Sequence, residues 1–307
     1  LLALEIGPGD EVIVPSFTYV ATANAIKYVG ATPIFVDCDP LNWNIDLSLV
    51  QKAITSSTKA IICVHIYGVP CEIEPIFMFA KKNNIGVIED CAEALGSSQN
   101  MTPAGSFGKF SVHSFHRTKT ITTGEGGALI TDDYDLYKRC LFLRDHGRSK
   151  TINYFIEEPS VKYMPSNMMG ALGCAQLDRI DELLKIKRFI RDTYSKSISK
   201  EIVDMSIISD QNSNINGCWA TTIVIHNQNF DKNLLIQYFE SQLIPIRPFF
   251  YCLTDMPAYK SYKIKNFNNN NARYLSSRGI ILPSHYEITY EQISLISKNL
   301  NTYMETI

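Results

Sequence analysis

The hydrophobic positions in the first 135 or so residues of the chain fall into short runs of two alternating kinds. Six runs rich in β-branched residues predict strands, at 12–14, 33–36, 60–64, 87–89, 110–115 and 128–131. Three stretches between them have helical spacing, at 21–29, 47–53 and 73–83. This alternation predicts an α/β fold with a mainly parallel sheet and helices on both of its faces.

The second half of the chain has a different pattern. Apolar side chains recur at helical spacing from about residue 166 to residue 200, which predicts one long amphipathic helix. Beyond it, predicted strands (221–225, 280–282) and helices (233–242, 290–303) indicate a smaller α+β unit, and the asparagine-rich tract 266–271 indicates a solvated loop. Because 307 residues exceed the usual size of one domain, we expect a large domain over 1–185 and a small C-terminal domain over 186–307.

Composition narrows the class of partner. Lysine and arginine total 29 against 31 acidic residues, so no net positive field is available to hold nucleic acid or an anionic membrane. No apolar run approaches the roughly 18 to 20 residues that span a bilayer, and no signal peptide opens the sequence. Eight scattered cysteines without a C-x-x-C pair, and six histidines without ligand spacing, argue against a metal site. We therefore expect a cytoplasmic protein that acts on a small molecule.

Polar residues follow three of the predicted strands, at 15–19, 90–93 and 114–119. Parallel sheets bind ligands at the carboxyl ends of their strands, so these segments are candidate site positions. Lys119 lies in a polar loop that leads into a glycine cluster, and a lone loop lysine is most simply a solvated charge. Asp90, however, ends a hydrophobic strand, where a carboxylate is costly unless a cation meets it. A protonated pyridine nitrogen is one such cation.

Several ordered motifs resemble one family over nearly the whole chain. They are Ile-Glu-Asp-Cys-Ala-Glu-Ala-Leu-Gly (88–96), Gly-Ser-Phe-Gly (105–108) and Ser-Phe-His-Arg-Thr-Lys-Thr-Ile-Thr-Thr-Gly-Glu-Gly-Gly (114–127), with further matches at 9–24, 144–147 and 164–177. These motifs resemble the DegT/DnrJ/EryC1/StrS sugar aminotransferases. The resemblance implies a fold-type I transferase with pyridoxal 5′-phosphate (PLP) as cofactor, which transfers an amino group.

The resemblance also implies roles for individual residues. Lys119 would be the Schiff-base lysine and would shuttle the substrate's proton, and Asp90 would keep the pyridine nitrogen protonated. Tyr19 would stack on the cofactor ring, Ser114 would bind the phosphate, and Glu93 would lie near the phenolic oxygen. Many relatives have glutamine or histidine at the position of Glu93, so this acid has to be protonated or paired. Core packing is the alternative for Tyr19.

Asn167, by the same resemblance, would reach the cofactor phosphate of a neighbouring subunit, which implies a homodimer with shared active sites. Its alternative role is to cap the helix that follows. Relatives also carry a phosphate-binding turn ahead of the region where this sequence starts, and Leu1 to Leu4 read as the end of the helix after that turn. We therefore expect an upstream segment.

The segment 244–259 bears on the substrate. It resembles the corresponding segment of the perosamine-forming members, although Cys252 and Thr254 replace their proline and histidine. Arg247 within it could pair with a substrate diphosphate or form a surface ion pair. His116 could contact the substrate or order the lysine loop, whereas His113 is expected to be a packed, hydrogen-bonded histidine.

The resemblance favours glutamate as amino donor and GDP-4-keto-6-deoxymannose as acceptor, for a surface polysaccharide. A dTDP- or UDP-linked keto sugar is the alternative acceptor. A lysine at position 119, where some members have histidine, favours transamination over dehydration. Two other classes are disfavoured. Lys119, Asp90 and Ser114 together argue against a non-catalytic PLP-binding regulator, and no cysteine lies in the lysine loop, where a lyase or desulfurase would need one.

Overall fold

A six-stranded sheet dominates the first half of the chain in the computed structural model, which describes residues 1–200, 202–203, 205–207, 210, 213–262 and 268–307. Its strands are β1 (Glu11–Pro15), β2 (Thr32–Val36), β3 (Thr58–Val64), β4 (Gly86–Asp90), β7 (Phe110–Ser114) and β8 (Gly127–Ile130). Between β4 and β7 the chain forms a separate short hairpin of β5 (Ser98–Gln99) and β6 (Thr102–Pro103). The strands of the large sheet lie in the order β2-β1-β3-β4-β7-β8. All neighbours are parallel except β7 and β8, so the predicted mainly parallel sheet is confirmed.

Helices connect these strands. They are α1 (Val20–Tyr28), α2 (Leu47–Ala53), α3 (Ile73–Lys82) and α4 (Tyr134–Leu143). The Asp46 carboxylate accepts hydrogen bonds from two backbone amides in the first turn of α2, and Asp133 does the same for α4. These side chains satisfy amides that have no partner inside the helix, which explains why the two helices begin where they do.

The second half of the chain forms a four-stranded antiparallel sheet and five helices among the described residues. In chain order these are α5 (Asn167–Leu177), α6 (Ile180–Ser197), β9 (Met205–Ser206), β10 (Thr221–Ile225), α7 (Lys232–Ser241), β11 (Arg247–Pro248), α8 (Asn270–Arg278), β12 (Gly279–Leu282) and α9 (Tyr290–Met304). The strand order is β11-β12-β10-β9. Helix α6 runs through residues 185 and 186, and the domain boundary expected there stays a prediction.

Two predictions for this half were wrong in part. The helix predicted from residue 166 to residue 200 is two helices, because the chain breaks at Asp178 and Arg179. Arg179 has a non-helical backbone at this break (φ −112°, ψ 12°), and none of the residues of α5 is buried whereas α6 buries seven. The asparagine tract lies partly outside the described residues. Its last two positions begin α8, where the Asp37 carboxylate accepts hydrogen bonds from the amides of Asn271 and Ala272.

The core beneath the carboxyl edge of the large sheet contains residues from both halves of the chain. Phe249, Cys252 and Leu253 are buried in the same cluster as Phe17 and Tyr67. The amide of Leu253 also donates to the carbonyl of Ser16. The segment after β11 is therefore fixed against the strand ends, next to the candidate site. No helix in the described part of the chain is long and apolar enough to cross a membrane.

Candidate active site

The carboxyl edge of the large sheet brings the predicted site segments together. Asp90 is the last residue of β4 and Ser114 is the last residue of β7, and the two strands are adjacent and parallel. Since the loops after both strands leave the sheet at the same edge, a small cavity forms there. Its walls include Cys91, Glu93, His113, Ser114 and Lys119.

Lys119 extends into this cavity and is held from two sides. Its Nζ atom lies 3.4 Å from Oε1 of Glu93. The same nitrogen lies 4.2 Å from the centre of the Trp219 ring, over the ring face. The side chain is only 14% exposed, so the lysine is not the solvated loop charge that a single loop lysine would suggest. A cation beside both a carboxylate and an aromatic face is stabilised by each of them.

Glu93 is buried beside this amine. Its second oxygen, Oε2, accepts a hydrogen bond of 2.8 Å from the backbone amide of Tyr67. Burial raises the pKa of Glu93, and the positive charge of Lys119 opposes that shift without cancelling it. The sequence required this glutamate to be protonated or paired, and the structure pairs it with Lys119 and with a backbone amide.

Asp90 has polar partners but no cationic one in the described part of the chain. One carboxylate oxygen accepts a hydrogen bond of 2.8 Å from the Thr22 hydroxyl, and the other accepts one of 3.1 Å from the amide of Ala92. No described lysine, arginine or histidine forms a salt bridge with it. A carboxylate left in this state at a strand end fits a cationic ligand group such as a protonated pyridine nitrogen.

The histidines near the lysine differ in setting. His113 is half-buried, and its Nε2 atom lies 3.4 Å from the Ser111 hydroxyl. Burial, followed by the charge of His65, lowers the pKa of His113. His116 turns towards its own loop, where Nδ1 lies 3.0 Å from the Thr118 hydroxyl and Nε2 lies 3.7 Å from Glu125. The amide of His116 donates to the Ser114 hydroxyl at 3.3 Å.

Two alternative roles from the sequence are wrong. Tyr19 is 57% exposed and its ring centre lies 5.4 Å from that of Phe250, so it is not a core residue. Asn167 does not cap α5, because Ser166 occupies that position and its hydroxyl accepts the amide of Met169 at 3.3 Å. Arg247 is exposed at the start of β11, and it forms no salt bridge with a described residue.

Three contributors to the site were not identified from the sequence. Thr22 lies within the matched segment 9–24, and its spacing of three residues from Tyr19 at the start of a helix could have indicated a hydroxyl facing the same way. Tyr67 and Trp219 come from loops far apart in the chain. No local pattern marks either of them, because their roles arise only when the fold brings those loops to Lys119.

A second carboxylate directly precedes Asp90 in β4 and lies on the other face of the sheet. Glu89 is fully buried and accepts hydrogen bonds from His65 Nε2 and from the amides of Gly105, Phe107 and Gly108. His65 Nδ1 in turn accepts the amide of Cys71, which leaves Nε2 as the donor to Glu89. These contacts give the Gly-Ser-Phe-Gly motif a structural role, since three of its amides bind one carboxylate.

Comparison with known proteins decides which family this arrangement represents. The model of the DegT/DnrJ/EryC1/StrS aminotransferase family matches residues 1–301. This chain belongs to the DegT/DnrJ/EryC1/StrS aminotransferase family. The predicted family is thereby confirmed, together with the aminotransferase class that its name states.

The chain covers most of the length of its relatives in the DegT/DnrJ/EryC1/StrS family. The chain is 41% identical over 303 residues to a GDP-perosamine synthase of Escherichia coli O157:H7, covering 99% of this chain and 81% of that protein. It is 34% identical to a GDP-perosamine synthase of Vibrio cholerae, covering 99% and 83%. Among solved structures, Spr1654 from Streptococcus pneumoniae in its PLP-form is 30% identical with a TM-score of 0.91, covering 100% and 83%. The predicted transferase fold is confirmed.

Proposed function

We propose that this chain binds PLP at Lys119 and transfers an amino group from glutamate to GDP-4-keto-6-deoxymannose, which gives GDP-perosamine. The observation that carries the proposal is that one edge of the sheet holds both a restrained amine at Lys119 and a carboxylate at Asp90 that lacks a cationic partner in the described chain. The names of the relatives that match nearly the whole chain support the sugar, and the PLP-form of the structural relative supports the cofactor.

The residues at the strand ends suit the parts of this cofactor. Asp90 would bind the protonated pyridine nitrogen, and Ser114 would donate its hydroxyl to the phosphate. Tyr19, exposed at the start of α1, would cover one ring face. When bound, the cofactor supplies an electron-accepting ring that makes the substrate's Cα proton removable. Glu93 lies next to the Lys119 amine, and from this position it would also approach the phenolic oxygen.

Lys119 performs the proton transfer in this proposal. In each half-reaction its free amine would take a proton from one carbon and deliver it to another, starting at the donor's Cα and ending at the carbon of the acceptor sugar. Glu93 at 3.4 Å would stabilise the ammonium form that exists within each transfer, because opposite charges attract strongly when water is excluded.

Two exposed residues are candidates for substrate contact. Arg247 offers a guanidinium that suits a diphosphate, and it is exposed without a salt bridge to any described residue. The His116 side chain is 38% exposed in the loop that carries Lys119. We propose that Arg247 binds the nucleotide's phosphates and that His116 contacts the sugar. The expected cytoplasmic location stays a prediction.

A homodimer with shared active sites is part of the proposal. Helix α5 is rich in apolar residues, yet none of them is buried within the chain. Large apolar side chains are exposed on it, namely Met168, Leu172 and Leu177, and also earlier in the chain, at Leu129, Ile130, Phe155 and Ile156. Apolar surface of this extent is unusual on a monomer and is typical of subunit interfaces. Asn167, at the start of α5, would reach the partner's cofactor phosphate.

The dimer can be tested with one substitution and a matched control. Leu172→Asp on α5 places a charge in the proposed interface, and we expect sedimentation to show monomers together with a large loss of turnover. Leu234→Asp on α7 changes an equally large exposed side chain away from this face and should leave the dimer intact. If the Leu172→Asp protein sediments as the wild type does, the proposed interface and the proposed shared site are both wrong.

The reaction can be tested with the full chain, PLP and glutamate against a panel of nucleotide-linked keto sugars. We expect the mass of the amino sugar only with GDP-4-keto-6-deoxymannose, and none with the Lys119→Ala protein. Turnover of a dTDP- or UDP-linked keto sugar instead would exclude the proposed acceptor and keep the class. If no keto sugar reacts and glutamate does not alter the absorbance of the PLP-loaded protein, the non-catalytic alternative replaces the enzyme.

A further inference from the structure

Trp219 lies against the lysine loop although it is 100 positions away in sequence. Its indole Nε1–H donates a hydrogen bond of 2.7 Å to the carbonyl of Thr118, the residue before Lys119. The Lys119 Nζ atom lies over the face of its ring, 4.2 Å from the ring centre. One side chain therefore holds both the backbone of the loop and the amine at the end of the lysine.

The indole ring also lies beside the ring of Tyr67. The two rings are parallel within 1° and their centres are 6.1 Å apart. Tyr67 is fully buried and has a left-handed backbone (φ 52°), which is unfavourable for a bulky residue unless its surroundings impose it. Its hydroxyl accepts the amide of Phe250 at 2.9 Å. Tyr67 is thus a fixed support for the indole.

The contacts close into a circuit around the amine. The amide of Tyr67 donates to one oxygen of Glu93, whose other oxygen lies 3.4 Å from Lys119 Nζ. The circuit thus runs from Lys119 to Trp219, Tyr67 and Glu93, and back to Lys119. Each member comes from a different segment of the chain, so the circuit forms only in the folded protein.

The segment that carries Trp219 is itself fastened to the turn that carries Tyr67. The amide of Gly217 donates to the Gly68 carbonyl at 3.2 Å and to the Ser97 hydroxyl at 3.0 Å. An added Cβ at Gly217 would lie 2.5 Å from the Leu95 carbonyl, so the backbones are too close for a larger residue. This attachment joins the backbone of the segment with Trp219 to the turn with Tyr67.

We propose that Trp219, supported by Tyr67, is a positioning residue for Lys119. It holds the free ammonium over its ring face and holds the loop through Thr118, so that the amine stays aimed at the cavity when no covalent bond restrains it. A cation over an aromatic face is stabilised electrostatically, and a held amine needs less reorientation before each proton transfer. Because the proposed function makes Lys119 the reactive group, the catalytic value of this positioning rests on that function.

The test uses the cofactor-free full chain, so it does not depend on turnover. The extent of Lys119 acetylation by acetic anhydride is measured by mass spectrometry and divided by that of Lys232, a buried lysine whose Nζ donates to the Ser276 carbonyl and lies over the Tyr251 ring. In Trp219→Leu we expect this ratio to rise about tenfold, because ring and hydrogen bond are both lost. In Trp219→Phe, which keeps a ring face, it should rise less. An unchanged ratio in Trp219→Leu, or equal ratios in both variants, would overturn the proposal.

A second measurement removes the dependence on a variant of Trp219 itself. The chain has two tryptophans, so Trp219 is the sole tryptophan in a Trp43→Phe protein. Replacing the neighbouring cation in this background, by Lys119→Met, should change the emission of Trp219. Lys59→Met should leave the emission unchanged, because Lys59 lies near the amino end of β3, at the sheet edge away from the site. Identical Trp219 emission in the Lys119→Met and Lys59→Met proteins would contradict the contact between ring and amine.

Discussion

Glu89 and Asp90 are consecutive residues of β4, yet they have opposite surroundings. Glu89 is fully buried and accepts hydrogen bonds from a histidine and three backbone amides. Asp90 is partly exposed and accepts one hydroxyl and one amide, with no cation among its described partners. They are the last two residues of the strand, and because side chains alternate along a strand, they lie on opposite faces of the sheet.

The difference shows how a structural carboxylate can be told from a candidate site carboxylate. The charge of Glu89 is neutralised within the protein, because its donors leave little capacity for anything else. Burial alone raises the pKa of Glu89, but the hydrogen bond and charge of His65 and the backbone amides outweigh it, so the pKa lies below its ordinary value. Asp90 keeps capacity for a cationic group, at the edge where Lys119 is held.

The largest expected effect is on turnover, when the amine of Lys119 is removed. Lys119→Ala should lower turnover by about 10⁴-fold or more, because both covalent attachment and proton transfer are lost. The unfolding midpoint should fall only modestly, because Glu93 loses its charged partner but keeps the hydrogen bond from the Tyr67 amide. Measured turnover within about tenfold of wild type would show that another residue performs the chemistry.

The next test compares the two neighbours directly. Asp90→Asn should lower turnover by roughly 10²- to 10³-fold, as expected when one preorganised electrostatic partner is removed, with little change in stability. Glu89→Gln is the matched control and should change turnover by less than about threefold once the protein is saturated with PLP. If the folded Glu89→Gln protein lost turnover and Asp90→Asn did not, the assignment of the two carboxylates would be reversed.

Stability should show the opposite ranking. Glu89→Gln breaks a buried, hydrogen-bonded pair and should lower the free energy of unfolding by about 3 kcal/mol, measured by denaturant titration at neutral pH. Asp90→Asn should change it by less than about 1 kcal/mol, because Asp90 is not part of such a pair. Equal losses in the two variants would mean that Asp90 is as structural as its neighbour.

The smallest effect is the pH dependence of that stability difference. The pKa of Glu89 is lower in the folded protein than its ordinary value of 4.5, so its stabilisation is complete above that pH and declines as the pH falls through the folded pKa. The gap between wild type and Glu89→Gln should therefore be constant from neutral pH to about 5 and narrow in more acidic buffer. A gap that widened on acidification would contradict the ionised state of Glu89.

Much of the fold was accessible from sequence because it depends on local patterns. The strands of the large sheet were predicted to within two residues at each end, since β-branched runs and flanking turns determine them. The position of Asp90 at a strand end followed directly, as did a polar loop with Lys119. Resemblance then supplied the roles, which composition and spacing alone could not.

The remainder depends on contacts between distant segments. Helix α8 begins where Asp37, 235 positions away, binds the amide of Ala272, and no local signal announces such a cap. No glycine or proline marks the break between α5 and α6, because the two residues between them are Asp178 and Arg179. Tyr67 and Trp219 reach Lys119 only through the folded core, so neither could be identified from the residues around it.

The central claim is a covalent bond between the cofactor and the amine of Lys119, and borohydride reduction tests it most directly. The full chain loaded with PLP would be reduced, digested and examined by mass spectrometry, with Lys119→Ala as control. We expect the pyridoxyl mass on the peptide that contains Lys119, and none in the control. Pyridoxyl mass on another lysine, or on no lysine of a protein that retains bound PLP, would contradict the proposed site.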